Sequence, residues 1–487
     1  MNPTNRLALR GLSALLALPG ALLAAPAFAQ APPPAAAVQA AAPPPAPPPR
    51  AAVPDPLALA LAPQPGGLTP EEAGKIAAKT KHSVRGKQAD LEAASARVDQ
   101  AFVNYFPRLS LSASFTRLSD VPGIKFSATA PEIEPILNST SFVASLSVPV
   151  SDYIFRISQG YAAASHSEKG KRLELEAETL QAAADAKIAY YNWLRAKGSV
   201  VVTRQAVDQS RAHVNDANKT FSVGLISKAD VLRLEAQLAG AQQAGAETDA
   251  LSMLSEEQLR VVLSIQSNQP ITIGADVMHD QVAAPTESLA DLQNQAMTRR
   301  LEIRALDETE LSLKETVGLA RAGYLPRLDA FADATMANPN QRIFPASNKF
   351  TGTWDVGVRL SWTLNDSFVA AGATTEARAR VASLAEQKGA LRDGLRLEVV
   401  SAYADMAKSV ATIEASERQL TASEESLRVR NELFKNGKAT SVELVDAEAE
   451  VTRARLGRLN ARIGLAVARV RLDHATGRDV APRPAGE

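Results

Sequence analysis

The sequence predicts a mixed α and β fold made of two copies of one unit, each with a pair of strands and a pair of very long helices. Three observations predict it. Short motifs recur in the same order at nearly one offset, four stretches alternate strictly between apolar and polar residues, and two long proline-free stretches carry a narrow apolar stripe.

The recurrence defines the unit. Phe221-Ser222-Val223-Gly224, followed by Asp230 and Glu235-Ala236, returns 213 residues later as Phe434-Lys435-Asn436-Gly437, followed by Glu443 and Glu448-Ala449. Tyr105-Phe106-Pro107-Arg108-Leu109 returns 219 residues later as Tyr324-Leu325-Pro326-Arg327-Leu328. Leu146-Ser147 and Asp152 return as Leu360-Ser361 and Asp366, 214 residues later. Several matches in one order at one spacing identify an internal duplication. Each copy reads as helix, strand, strand, long helix, turn, helix.

Taken in order, the chain opens with a segment that is not part of the fold. Arg6 and Arg10 make a basic start, Leu12 to Leu23 is a short apolar run, and Ala27-Phe28-Ala29 precedes Gln30 as a small-x-small cleavage site. Residues 1–29 therefore read as a secretory signal, with an apolar core too short to span a bilayer. Residues 30–67 are dominated by alanine and proline. Proline lacks a backbone donor and fixes φ, so this stretch is expected to be an extended linker. Order is expected from Leu68-Thr69-Pro70-Glu71-Glu72, a capped helix start. The first copy is assigned to 68–280, the second to 281–477, and 478–487 to a C-terminal tail.

The strands follow. Leu109 to Thr116 alternates without a break, and Phe142, Ala144, Leu146, Val148 and Val150 share a face opposite Ser145 and Ser147. In the second copy Leu328, Ala330, Ala332 and Ala334 oppose Asp329 and Asp333. Trp354, Val356, Val358, Leu360, Trp362 and Leu364 oppose Asp355, Arg359, Ser361 and Thr363. A period of two gives one apolar and one wet face. That pattern suits a half-buried sheet, or a membrane barrel wall in which strands of about 9–11 residues suffice. Four strands do not close a barrel alone, so the second reading requires several chains. No later segment is an apolar run long enough for a membrane helix.

The helices are expected from Phe155 to Phe221 and from Phe368 to Phe434. Leu173, Ala177, Leu180, Ala184, Ile188, Tyr191 and Leu194 step by four and three, as do Leu395, Val399, Ala402, Met406, Val410 and Ile413. One narrow stripe on so long a helix is coiled-coil geometry. At about 1.5 Å per residue each helix reaches about 100 Å.

Composition excludes several function classes. The 53 Lys plus Arg balance 53 Asp plus Glu, so no basic field calls for nucleic acid. There is no cysteine, hence no disulfide, thiolate metal site or cysteine nucleophile. His82, His166, His213, His279 and His474 show no metal-binding spacing. Gly437-Lys438 lacks the upstream glycine of a phosphate loop, because Glu432 stands there. No enzyme activity, metal or cofactor is expected.

The signal, the duplication, Tyr-x-Pro-Arg-Leu before a strand and the glycine-centred turn between long helices together resemble the TolC-type outer-membrane efflux family, from about Leu68 to Gly477. The resemblance implies a homotrimer whose twelve strands form one outer-membrane β-barrel, continuous with a long periplasmic α-helical barrel. Leu109, Leu111, Phe115, Trp354 and Trp362 would face lipid, with the Ser, Asp and Arg faces lining a water-filled bore. Ser119 to Thr140 and Ala337 to Thr351 would be surface loops. The implied function is the passive exit duct of a tripartite efflux or type I secretion system, working with a periplasmic adaptor and an inner-membrane transporter. A non-conducting periplasmic coiled-coil tether is the alternative, but a tether would not need two matched strand pairs.

The resemblance also names positions. Val223-Gly224-Leu225 matches the turn that meets the adaptor's hairpin tip, and Asn436-Gly437-Lys438 is its second-copy counterpart. Glu443 and Asp446, three apart and so on one helix face, match paired acids that ring the closed entrance. In a trimer they would favour cations. Asp230 matches a gate position that pairs with a basic residue of a neighbouring turn. Here the expected arginine is Ala439, the gate tyrosine is Phe434, and Lys438 is the adjacent substitute.

Overall fold

Two hairpins of long helix and one four-stranded sheet are built the same way by both copies of the unit. The computed structural model describes residues 55–120, 122–123, 135–266, 269–278 and 286–480. The signal segment 1–29, linker residues 30–54, most of the loop between the first two strands, the join at 280 and 281, and residues 481–487 lie outside the described residues.

The first copy runs α1 (Pro56–Ala60), α2 (Pro70–Thr80), α3 (His82–Val103), β1 (Arg108–Arg117), β2 (Asn138–Val148), α4 (Ser158–Ser222) and α5 (Lys228–Leu263). The second runs α6 (Leu289–Arg299), α7 (Leu301–Arg321), β3 (Arg327–Asn338), β4 (Thr351–Ser361), α8 (Asp366–Lys435) and α9 (Ser441–Ala475). The expected order of elements is the observed one, except that three helices precede the strands in the first copy and two in the second, where one was expected. α4 and α8 hold 65 and 70 residues, about 100 Å of helix each. α2 begins as its sequence predicts: the Thr69 hydroxyl accepts from the Glu72 N–H, the Glu72 carboxylate accepts from the Thr69 N–H, and Pro70 occupies the first turn.

Within the stretch expected to be an extended linker, residues 55–67 are described, and Pro56–Ala60 form a helix. Asp55 accepts from the Leu57 N–H and caps α1, whose Leu57 and Leu61 are buried with Tyr190, Trp193 and Leu459. Asp55 also pairs with Arg458. Residues 64–68 then bond to the 272–274 segment through Gln64, Leu68 and Gly274. Two leucines one helical turn apart outweigh a proline-rich context once a core is there to receive them. At the start of the C-terminal tail Arg478 pairs with Glu287, Asp479 with His474, and Val480 packs against Leu301 and Ala305.

The core forms a girdle around the middle of the long helices, with matching halves. Ala73 and Ala77 of α2 pack with Ala186 and Tyr190 of α4, while Leu292 and Ala296 of α6 pack with Val399 and Leu465 of α8 and α9. Buried Arg300 donates to Glu302, to Glu398 and to the His474 carbonyl at the end of α9, so its charge is matched within the seam. Along α4 the expected stripe is only partly the buried one. Leu173, Ala184 and Leu194 are buried, but so are Tyr190, Trp193 and Val202. At the girdle α4 has neighbours on several sides, so a single stripe does not describe it.

All four strands pair antiparallel in the order β1-β2-β3-β4. Pro107 and Pro326 precede β1 and β3, where helix gives way to strand. The last strand ends at Ser361, so Trp362 and Leu364, expected within it, lie just beyond. Likewise Asn138 to Thr140 and Ala337 to Asn338 are strand rather than loop. Sheet and helices are joined tightly below. The Tyr153 hydroxyl donates to the Tyr105 carbonyl at 3.0 Å, Ser151 exchanges bonds with Leu328, and Arg156 pairs with Asp152 and donates to the Ala322 carbonyl at 2.6 Å.

Candidate functional site

The register sorts the strand residues by chemistry. Leu109, Leu146, Ala332 and Val356 form one cross-strand row, and Leu111, Ala144, Ala334 and Trp354 the next. Directly paired residues share a face, so these rows are apolar from edge to edge. The face is also open: Leu111 is 78% exposed and Trp354 75%. The intervening row is Ser110, Ser145, Asp333 and Asp355, on the opposite, polar face. Among the described residues β1 pairs only with β2 and β4 only with β3, which leaves both outer edges unpaired. Also among the described residues, no helix is long and apolar enough to cross a membrane.

At the far end of the long helices the two predicted turns have one geometry. Gly224 and Gly437 have φ of +80° and +66°, the left-handed region where glycine carries no Cβ penalty. The N–H of Leu225 donates to the Thr220 carbonyl and that of Lys438 to the Leu433 carbonyl, closing each helix end. Val223 and Leu225 stand exposed at the first turn, Asn436 and Lys438 at the second. A Cβ on either glycine would meet nothing within 4 Å. Ser227 and Thr440 then cap α5 and α9 by accepting from the N–H groups of Asp230 and Glu443. Asp230 and Glu443 are thus counterparts in the two copies.

Their carboxylates go different ways. Asp230 accepts from the hydroxyls of Ser227 and Ser441, which hold its carboxyl below the usual carboxylate range. Ser441 is buried, and its contact with Asp230 bridges the two turns of one protomer. Glu443 lies 3.7 Å from Arg430. Glu443 and Asp446 are both exposed, while Leu444, Ala447 and Glu448 between and beside them are buried, so the two acids share the open face of α9. Phe434 lies in the apolar cluster with Val214, Ala217, Val231 and Leu234, and Lys438 stays exposed. Within the protomer, then, Asp230 is partnered by serines rather than by Lys438.

Ser441 and Arg430 were not named in the sequence, and His213 and Glu448, named there only for their spacing and their repeat, form a buried pair that joins α4 to α9 behind the turns. Only Ser441 had a local signal, its place at the start of a capped helix. Among the described residues no group of three or more His, Asp or Glu side chains is placed to hold a metal ion.

Comparison with known proteins adds to this geometry. A family model described as outer membrane efflux protein matches residues 74–264 and 292–478. The chain is similar to the outer membrane protein TolC of Escherichia coli K12, 20% identical over 411 residues that cover 81% of this chain and 79% of that one. It is also similar to protein CyaE of Bordetella pertussis, 26% identical over 277 residues. The latter match spans 55% of this chain and just over half, 56%, of CyaE. Among solved structures, the CmeC outer membrane channel of Campylobacter jejuni aligns with a TM-score of 0.73 at 15% identity, covering 84% of this chain and 88% of that one. VceC of Vibrio cholerae aligns with a TM-score of 0.70 at 18% identity, covering 84% and 96%. These likenesses show the fold.

Proposed function

The chain belongs to the outer membrane efflux protein family, and on that premise we propose that three copies form the passive exit duct of a tripartite efflux or type I secretion system. In this reading residues 1–29 are removed on export, and the two copies at 68–280 and 281–477 stand side by side in each protomer. The apolar sheet face meets outer-membrane lipid, the polar face lines the bore, and the helices continue the duct into the periplasm. A periplasmic adaptor docks on Val223-Gly224-Leu225 and Asn436-Gly437-Lys438, and an inner-membrane transporter supplies the energy.

One observation carries this reading: a four-stranded sheet whose open face carries apolar rows running from edge to edge, and whose two edges are unpaired among the described residues. An edge of bare N–H and C=O groups is not tolerated in lipid. A second copy's β1 against this copy's β4 removes the edge, and repeating the step closes a ring. Twelve strands are then reached with three chains. The test is to extract the protein in detergent, subtract the detergent mass, and reconstitute the species obtained into planar bilayers. The expected result is a trimer that conducts. A stable monomer, or a trimer that never conducts even with its entrance acids removed, would overturn the reading.

A further inference from the structure

At the end of the sheet away from the helices, the loop between β3 and β4 lays its first residues back on the polar face, while its last, Phe350, packs on Phe142 of the apolar face. Its stem is Asn340, only 4% exposed in a loop whose neighbours are mostly open. The Asn340 amide Nδ2 donates to the Thr351 carbonyl at 3.0 Å and to the Thr353 hydroxyl at 3.2 Å, while its Oδ1 accepts from the Arg342 N–H at 3.0 Å. Arg342 then reaches along β4, donating to the Trp354 carbonyl at 3.2 Å and to Asp355 Oδ1 at 2.6 Å. Thr353 and Asp355 are alternate residues on the polar face, so both anchors lie on that side. A buried amide with both its groups bonded marks a built conformation, not a chance excursion.

The strand register supplies the reason for it. Asp355 stands directly opposite Asp333, and like charges at such positions repel. The cross-strand row that holds them contains only Ser145 and Ser110 besides, so no strand residue of that row is a cation. By contrast Asp329 stands opposite Arg359. Arg342 brings from the loop the charge that the Asp333–Asp355 row lacks.

We propose that residues 339–349 form an outer constriction of the duct, pinned over the polar face by Arg342 on Asp355, and that Arg342 sets the ion preference of the outer mouth. This rests on the reading above, that the polar face lines the bore. In a threefold assembly each copy contributes Asp333 and Asp355 against one Arg342. Removing the guanidinium leaves the Asp333–Asp355 row without a cation and loosens the loop beyond its Asn340 stem.

Planar bilayers test this with trimers carrying Glu443→Ala and Asp446→Ala, so that the periplasmic entrance does not dominate. Adding Arg342→Ala is expected to raise the potassium-to-chloride permeability ratio by about twofold or more, because uncompensated carboxylates in a narrow mouth favour cations. Arg342→Lys, which keeps the charge but not the forked reach, should hold the ratio near its starting value. The chain has no cysteine, so Phe344→Cys, at a loop position 91% exposed, provides one reporter thiol. A bulky neutral thiol reagent added from the outer side should lower the conductance of that variant. Trimers that conduct, with an unchanged ratio in Arg342→Ala and an unchanged conductance after labelling, would overturn the outer constriction alone. Trimers that conduct nothing would overturn the duct reading, and this inference with it.

Discussion

At the residue scale the two turn glycines separate folding from partner contact more cleanly than their backbone suggests. A side chain at Gly224 or Gly437 meets open space, so the cost of substitution inside the protomer is one of backbone conformation. For alanine that is about 1 kcal/mol or more. Asparagine tolerates the left-handed region far better, yet it fills the same space. Gly224→Asn and Gly437→Asn should therefore assemble like the parent while weakening capture of an adaptor tip that must approach the turn closely. Site-specific crosslinking to the adaptor in purified trimers checks this. Undiminished crosslinking in both variants would count against docking at the turns. Local rules made these glycines legible, because a helix end followed by a capped helix start needs a left-handed residue between them. The Asp230–Ser441 bridge was not legible, since its partners are 211 positions apart and no period links them.

At the element scale the sheet offers its own reporters. The chain has three tryptophans: Trp193 is buried in the girdle, Trp354 is open on the apolar face, and Trp362 lies one residue past β4. If that face meets lipid, brominated acyl chains should quench Trp354 and Trp362 and spare Trp193. The Trp354→Phe, Trp362→Phe double variant should lose most of the quenching, and Trp193→Phe almost none. Quenching that survives the double variant would place lipid elsewhere. Alternation along the strands already marked which residues share a face, since successive side chains point to opposite sides. It did not mark where β4 stops, because Trp362 and Leu364 keep the alternation after the pairing has ended. The stripe on α4 fell short for a different reason: neighbours α2, α5, α7 and α9 bury more than one side of it.

At the scale of the whole molecule, Glu443 and Asp446 would act in the proposed entrance only through symmetry. One Glu443 and one Asp446 are two exposed carboxylates; three of each around an axis, as the proposed trimer would place them, would make a filter. The structure distinguishes them, because Glu443 has Arg430 at 3.7 Å. That contact is exposed and weak in energy, but it places a cation beside Glu443. Asp446→Ala should therefore reduce cation preference and block by trivalent cations more than Glu443→Ala does, and the double variant should abolish both. Single-channel recordings on variants shown to be trimeric check the order. Equal effects of the two single variants would mean that Arg430 turns away in the assembly. Loss in neither would remove these residues from the entrance.

The sequence by itself determined the duplication, the order of elements, the strand faces, the long helices and the two turns. Each of these is written in a period, a cap or a glycine within a few residues of where it acts. The tertiary structure alone decided what those elements touch. It placed Leu57 and Leu61 in a core with Tyr190, Trp193 and Leu459, over a hundred positions away, gave Asp230 a serine for a partner, and set Arg342 on Asp355 over the polar face. Such pairings depend on how helices cross and in what register strands align. That geometry is a property of all the packed elements together, and no local stretch of sequence carries it.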